Sequence, residues 1–295
     1  MIATQHLAAM NATHAMNPHR ALPPEPAWPP GWAQPDLGPH AVACVSARSG
    51  GVSLPPFDSC NLGDHVGDDP AAVARNRAAF AGFLPARAVW LRQVHGNHIA
   101  RVGLADVGED PIEADGALTT EPGVACVVMV ADCLPLLLAA PDGRGVAALH
   151  AGWRGLAGEG AACVGGKGIV QAGVQALCEA TAVQPRDLRV WLGPCIGPNH
   201  FEVGPEVLRG FGVEPFEASG APVVHPRFSP RCAGDAVASG KWLADLPGLA
   251  RDALAAVGVT QVSGGQLCTA SDAARFFSFR RDGRTGRQAA AICLR

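Results

Sequence analysis

Apolar residues fall in short, nearly unbroken runs punctuated by Gly, Pro and Asp, at 88–94, 99–103, 117–119, 124–130, 134–140 and 146–150. Runs of that length without polar alternation predict strands covered on both faces. A first strand is predicted over 41–46, and later ones over 188–192, 259–262, 276–279 and 288–294. Helical spacing is clear in three places. Asp69 and Pro70 supply an N-cap and a first-turn proline, and Val73, Arg77 and Phe80 share one helical face before Pro85 ends the helix near 83. The period returns over 168–181, and again over 236–257 with a break at Leu246, Pro247 and Gly248. Strands alternating with helices in this way predict a single α/β (mixed α+β) domain, with helices packed on a mixed, largely buried β-sheet.

Two stretches do not fit either period. Residues 1–40 are rich in Pro, His and Ala and predict a mobile tail ahead of a catalytic domain at 41–295. Residues 48–68 form a Gly- and Pro-rich loop too long for a simple connector, and loops of that length tend to be functional or disordered.

Composition narrows the classes. With 295 residues and 48% hydrophobic content, the chain is long enough to bury a core without disulfide or metal staples. A net charge of -3, from 23 Lys+Arg against 26 Asp+Glu, argues against a nucleic-acid partner, because affinity for a phosphate backbone needs clustered cations. No apolar run is long enough to span a bilayer. Ten cysteines in a chain of this size, with neither a basic n-region nor an apolar h-region at the start, predict a reduced, cytoplasmic protein instead of a disulfide framework.

The candidate chemistry sits at strand ends, where a rigid scaffold meets open loops. His95 follows the run 89–94 and precedes Gly96; Cys133 lies between two apolar runs, beside Asp132; His150 ends the run 146–149. Two imidazoles and one thiolate suit zinc and leave a fourth position for water or substrate. The same residues also fit a thiolate nucleophile with a histidine base, or two buried polar histidines with an inert thiol, and their spacing alone does not separate these readings. Arg48 in its Gly-flanked loop is the preferred candidate for holding an anionic group, since a guanidinium grips oxyanions bidentately. Arg154, Arg280 and Arg281 are further candidates, while Asn61 and His65 either touch substrate or fix the loop. Asp115 and Asp132 are candidates to orient a metal-bound imidazole, although strand alternation places Asp132 opposite Cys133. His98 reads as a solvent-facing loop residue. The remaining cysteines show no metal-binding spacing.

Seven ordered segments resemble those of one family. They are Arg48-Ser49-Gly50-Gly51-Val52-Ser53, Asn61-Leu62-Gly63-Asp64-His65-Val66-Gly67-Asp68, Gln93-Val94-His95-Gly96, Ala131-Asp132-Cys133-Leu134-Pro135, His150-Ala151-Gly152-Trp153-Arg154-Gly155, Gly193-Pro194-Cys195-Ile196-Gly197-Pro198 and Phe276-Phe277-Ser278-Phe279-Arg280-Arg281-Asp282. The chain is thereby similar to the YfiH family, whose members are called purine nucleoside phosphorylases and formerly polyphenol oxidases or laccase-domain proteins. The resemblance implies a zinc site on His95, Cys133 and His150. It also implies phosphorolysis of adenosine, inosine, guanosine and S-methyl-5'-thioadenosine, together with adenosine deamination, so that the partners are a small-molecule nucleoside and phosphate. A second activity implied by the family is amidase-like editing of a peptidoglycan precursor at the same Cys/His site. A copper-dependent polyphenol oxidase ranks below both, since such enzymes need many histidines in close sets and four of the ten here lie in the tail. The chain departs from the family pattern in a Gly-rich insert of about ten residues after the His150 segment, in Gln266-Leu267 before Cys268, in Cys195 where Ala is usual and in Phe279 where Tyr is usual.

Overall fold

The computed structural model describes residues 28–163, 165–231 and 240–295. The apolar runs build two main sheets in place of the single one expected, beside two small ones that pair Leu91–Arg92 with Ile112–Glu113 and Trp242–Ala244 with both Glu202–Val203 and Phe228–Pro230. In the first, the strand order is Ala41–Val45, Gln288–Leu294, Val124–Val130 and Arg87–Val89; in the second, it is Gln261–Gly264, Arg189–Leu192, Leu134–Ala139, Val146–Ala151, Gly116–Thr119 and Ile99–Arg101. Both are mixed. Gln288–Leu294 runs antiparallel to both of its neighbours, whereas Arg87–Val89 runs parallel to Val124–Val130.

Side-chain alternation explains why these strands read as unbroken apolar runs. Val124, Cys126 and Val128 pack with Ala290, Ile292, Leu137, Ala139, Val146 and Ala148 in a core shared by the two sheets. The intervening residues Ala125, Val127 and Met129 face outward with Ala289 and Ala291, against Phe80 of the helix Pro70–Ala81. On the second sheet, Leu134, Leu136, Leu138 and Leu149 face the helices Ile169–Thr181 and Leu246–Ala256 through Ile169, Val170, Val174, Leu177 and Leu254. The molecule is therefore layered as helix, sheet, sheet, helix. The strands Val124–Val130, Leu134–Ala139, Val146–Ala151 and Gln288–Leu294 are buried along their whole length with apolar partners on both faces, which removes the polar alternation of a half-exposed strand.

The helix Pro70–Ala81 starts as its sequence predicts, with the Asp69 side chain accepting from Ala71 N at 3.0 Å. Its buried face carries Asn76, whose side chain accepts from Val52 N and donates to Ser53 Oγ and to the carbonyls of Ser59 and Asn61. Arg77 adds a hydrogen bond to Leu62 O at 2.8 Å while lying over the Trp90 ring. The long loop 48–68 is thus pinned to the helix by side chains.

Several expectations are corrected. The run 88–94 divides into Arg87–Val89 and Leu91–Arg92. Residues 276–279 are not a strand: Phe276 and Phe277 are fully buried, and the Phe277 backbone pairs with the Gln288 side chain instead of another strand. Ser278 then caps the short helix Phe279–Asp282. Within the helix expected over 236–257, residues 236–239 lie outside the described ones, Trp242–Ala244 is a strand, and the helix runs Leu246–Ala256. Pro247 lies in the first turn of that helix and does not break it, because its missing N–H has no intrahelical acceptor to lose and the Asp245 side chain accepts from Gly248 N at 2.9 Å. The last expected strand before 276 is displaced to Gln261–Gly264. Of the predicted tail, residues 1–27 lie outside the described ones, while 28–40 pack on the domain: Trp28 and Trp32 stack near Phe80 and Phe83, Ala33 pairs with Val45, and Leu37 is buried.

Candidate functional site

His95, Cys133 and His150 converge, with one ligand atom from each lying within 4.8 Å of the others. His150 lies inside Val146–Ala151, opposite Pro135, so the antiparallel register brings it beside Cys133 at the start of Leu134–Ala139. His95 and Asp132 occupy turns with φ of +62° and +94°, the left-handed region that non-glycine residues rarely enter. These two strained turns aim the His95 ring and the Cys133 thiol at each other, and Cys133 Sγ sits 3.7 Å from His95 Nε2.

Asp115, fully buried, organises the other side. Its carboxylate accepts His150 Nδ1 at 2.8 Å and the backbone N–H groups of Val94, His95 and Gly96 at 3.1, 2.9 and 2.7 Å. One carboxylate thereby fixes the tautomer of one histidine, leaving its Nε2 free to ligate, and the turn that carries the other. Burial opposes its ionisation, but the hydrogen bond and charge of His150 and the backbone donors hold its pKa below the usual carboxylate value. Burial likewise opposes a charge on Cys133, yet His150 and His95 bring the thiol down to about 6. Burial lowers the His150 pKa while the Cys133 thiolate and Asp115 raise it, and the net direction is upward. The pocket therefore favours a thiolate, which is the form a metal binds.

Space is controlled by Gly152. An added Cβ there would stand 2.8 Å from His95 Cδ2 and 3.3 Å from Cys133 Sγ, so the close approach of His95 to Cys133 requires glycine.

The three residues line a cavity of about 400 Å³ together with His65, Ile196, Phe201, Phe279, Arg280 and Arg287. Of the arginines singled out from sequence, Arg280 alone reaches it; its guanidinium donates to Glu202 O at 2.8 Å and lies over Phe201. Arg48 does not line the cavity. It donates to Asp58 O and Ala273 O, pairs with Asp58 and Asp282, and lies over Phe277, so it ties loops together. Arg154 lies over the Trp153 ring, outside the cavity. Arg281 donates to the carbonyls of Thr269 and Phe276. Asn61 is buried and structural: its Oδ1 accepts from Gly63 N and Arg287 N, and its Nδ2 donates to Gly63 O and Asp68. His65 stands at the rim, with burial and Arg287 lowering its pKa against a hydrogen bond to Asp64. Asp132 does not support an imidazole. It accepts from Thr269 Oγ1 and Arg280 N, both at 2.6 Å, and so anchors the wall that carries Arg280. His98 is exposed, as expected, and bonded to Glu113 O. The Gly-rich insert contributes nothing to the cavity lining among the described residues.

Arg287, which the sequence reading did not single out, is the second guanidinium of the cavity. Burial lowers its pKa, while the nearby Cys133 and Asp132 raise it. It precedes the buried strand Gln288–Leu294, a strand-end position like those of His95, Cys133 and His150.

A model of the family described as multi-copper polyphenol oxidoreductase laccase matches residues 42–295. A purine nucleoside phosphorylase of Pseudomonas aeruginosa is 46% identical over 265 residues, covering 89% of this chain and 98% of the relative. The Escherichia coli purine nucleoside phosphorylase YfiH is 43% identical over 267 residues, covering 89% and 96%. The crystal structure of a Neisseria meningitidis protein superposes with a TM-score of 0.74 at 36% identity, covering 90% of this chain and 99% of that one.

Proposed function

The chain belongs to the laccase-domain (YfiH) family, and from that premise we propose that it is a zinc-dependent purine nucleoside phosphorylase. Its substrates in this reading are adenosine, inosine, guanosine and S-methyl-5'-thioadenosine, with adenosine deamination as a second reaction, and its place is the cytoplasm. The observation that carries the proposal is that a Cys-His-His ligand set and two arginines face one cavity. Consistent with the location, the nine cysteines among the described residues are all free, and no described helix is long and apolar enough to cross a membrane.

The donor chemistry fits zinc. His150 presents Nε2 because Asp115 takes Nδ1, Cys133 is poised as a thiolate, and three protein ligands leave a position open. Copper fits less well. A trigonal electron-transfer copper site adds a weak axial Met, and although Met129 borders the cavity, its Sδ accepts from Arg77 at 3.6 Å among the residues packed beneath the first sheet. A multicopper oxidase needs several ligand clusters, and His95, Cys133 and His150 are the single such group among the described residues.

His95, Cys133 and His150 would hold the zinc, which when bound would supply a Lewis acid and an activated water at neutral pH. The protein's own residues do the rest. Phosphorolysis joins a phosphate oxygen to C1' of the ribose as the bond to the purine nitrogen breaks, so the site must hold an anion beside an apolar base. Arg287 and Arg280 supply the cations, and Ile196, Phe201 and Phe279 supply the apolar wall. The half-exposed His65 at the rim is placed to meet the polar ribose or phosphate.

The test is to incubate zinc-loaded protein with adenosine, with and without phosphate, and to follow adenine and inosine by chromatography beside Cys133→Ala. The reading expects adenine only with phosphate, inosine irrespective of it, and neither from the variant. Arg287→Gln is expected to raise the phosphate KM by on the order of tenfold or more through loss of a charge-assisted hydrogen bond, whereas Arg48→Gln leaves it unchanged. Zinc-loaded protein that turns over no nucleoside would overturn the reading and make the peptidoglycan amidase the function to assay.

A further inference from the structure

A pair of cysteines lies behind the cavity wall that Ile196 lines. Cys195 follows the strand Arg189–Leu192 and Cys268 follows Gln261–Gly264; the two loops continue the parallel pairing of those strands as a single bridge in which Cys195 and Cys268 are direct partners. Cys195 N donates to Leu267 O at 3.2 Å and Thr269 N to Cys195 O at 2.9 Å, which fixes that register. Neighbouring strands lie about 4.8 Å apart with paired side chains on one face, within the Cα separation of about 4.4–6.8 Å that a disulfide spans. An added Cβ at Gly197 would stand 3.1 Å from Cys268 Sγ, so that thiol lies over the 195–197 segment.

The two sulfurs differ in environment. Cys268 is partly exposed, receives Gly197 N at 3.2 Å and lies 3.8 Å from His200 Nδ1. Burial opposes its ionisation, but the Ser271 hydroxyl and the backbone N–H groups of Ser271, Gly197 and Ala270 lower its pKa below the usual thiol value. Cys195 is fully buried, and burial raises its pKa well above that value.

We propose that Cys268 is a peroxide-reactive thiol and Cys195 its resolving partner, so that oxidation closes a Cys195–Cys268 disulfide. In the first step the Cys268 thiolate attacks one oxygen of hydrogen peroxide; an S–O bond forms, the O–O bond breaks, sulfur is oxidised to the sulfenic acid, and the departing hydroxide takes a proton from His200 or solvent. In the second the Cys195 sulfur displaces that hydroxyl group, losing its own proton, and the S–S bond forms with release of water. Both loops hold Asp132, the residue before the metal-site cysteine: Ile196 N donates to its carbonyl at 2.9 Å and Thr269 Oγ1 to its carboxylate at 2.6 Å. The disulfide therefore joins the two clamps of the turn that presents Cys133.

The test is peptide mapping of the zinc-loaded full chain after titration with hydrogen peroxide. Trypsin separates Cys195 in 190–209, Cys268 in 252–275 and Cys178 in 168–186. Cys178, partly exposed on a helix with its pKa raised by burial, is the internal reference. The expected result is a linked 190–209/252–275 pair that dithiothreitol reverses, with Cys268 consumed about tenfold or more faster than Cys178. In Cys195→Ser the linked pair vanishes and a dimedone adduct accumulates on Cys268, while His200→Gln slows the consumption of Cys268. Equal consumption of Cys268 and Cys178 in the unsubstituted chain, with no linked pair, overturns the proposal without reference to any variant's folding.

Discussion

At the scale of single residues, the convergence of His95, Cys133 and His150, which could hold a metal ion, depends as much on what surrounds the three side chains as on the side chains themselves. Gly152→Ala tests this directly. The backbone at that position has φ of -70°, which alanine adopts freely, so any effect comes from the new Cβ against His95 and Cys133. The variant is expected to fold normally and to bind zinc on the order of tenfold or more weakly, measured by competition with a chromophoric chelator. Unchanged affinity would show that the close approach at Gly152 is incidental. The convergence of His95, Cys133 and His150 is legible in the sequence because each lies at the end of an apolar run. Arg287 satisfies the same criterion, lying immediately before the run 288–294, yet no local motif sets it apart from the other arginines. Arg48 is the opposite case: a Gly-flanked arginine has the features of an anion ligand, but whether its donors stay available depends on Asp58, Ala273 and Asp282, and the last two lie more than 200 positions away.

At the scale of elements, local chemistry predicts starts better than extents. Asp69 and Pro70 mark one helix correctly, whereas Pro247 reads as a break until Asp245 is recognised as the cap before it. The residues 276–277 carry the composition of a strand but meet a glutamine side chain, and no sequence window shows that. Sequence alone leaves the loop 48–68 as either functional or disordered because important partners lie on another element, chiefly Asn76. Asn76→Ala removes four hydrogen bonds and leaves buried partners unsatisfied. It is expected to destabilise the domain by about 1–3 kcal/mol in urea unfolding and to speed proteolysis within the loop. Because Asn61 lies in that loop and holds Arg287 N, the variant is also expected to raise the phosphate KM while zinc affinity is kept. A loop as resistant to protease as in the parent chain would contradict the pinning role.

At the scale of the molecule, the sequence supports a layered α/β domain but not its division into two main sheets. Strand partners such as Ala41–Val45 and Gln288–Leu294 sit at opposite ends of the chain, and the choice between one sheet and two turns on which face of each apolar strand meets which other strand. Leu137, fully buried between the sheets, reports on that interface. Leu137→Ala is expected to cost about 2–5 kcal/mol of unfolding free energy, by the lost transfer energy and the cavity left behind, with zinc content unchanged in the folded fraction. A cost below about 1 kcal/mol would contradict tight packing between the sheets. The layering also sets the site, because Val124–Val130 of the first sheet passes through Asp132 and Cys133 directly into Leu134–Ala139 of the second. The cavity opens where the chain crosses between sheets.

X-ray absorption at the zinc edge of the purified, zinc-loaded chain tests the central claim most directly. The account predicts one zinc per chain with a single sulfur neighbour at about 2.3 Å and the remaining neighbours nitrogen or oxygen at about 2.0–2.1 Å, the sulfur disappearing in Cys133→Ala. A zinc shell with no sulfur, or copper held in its place when both metals are offered, would contradict it.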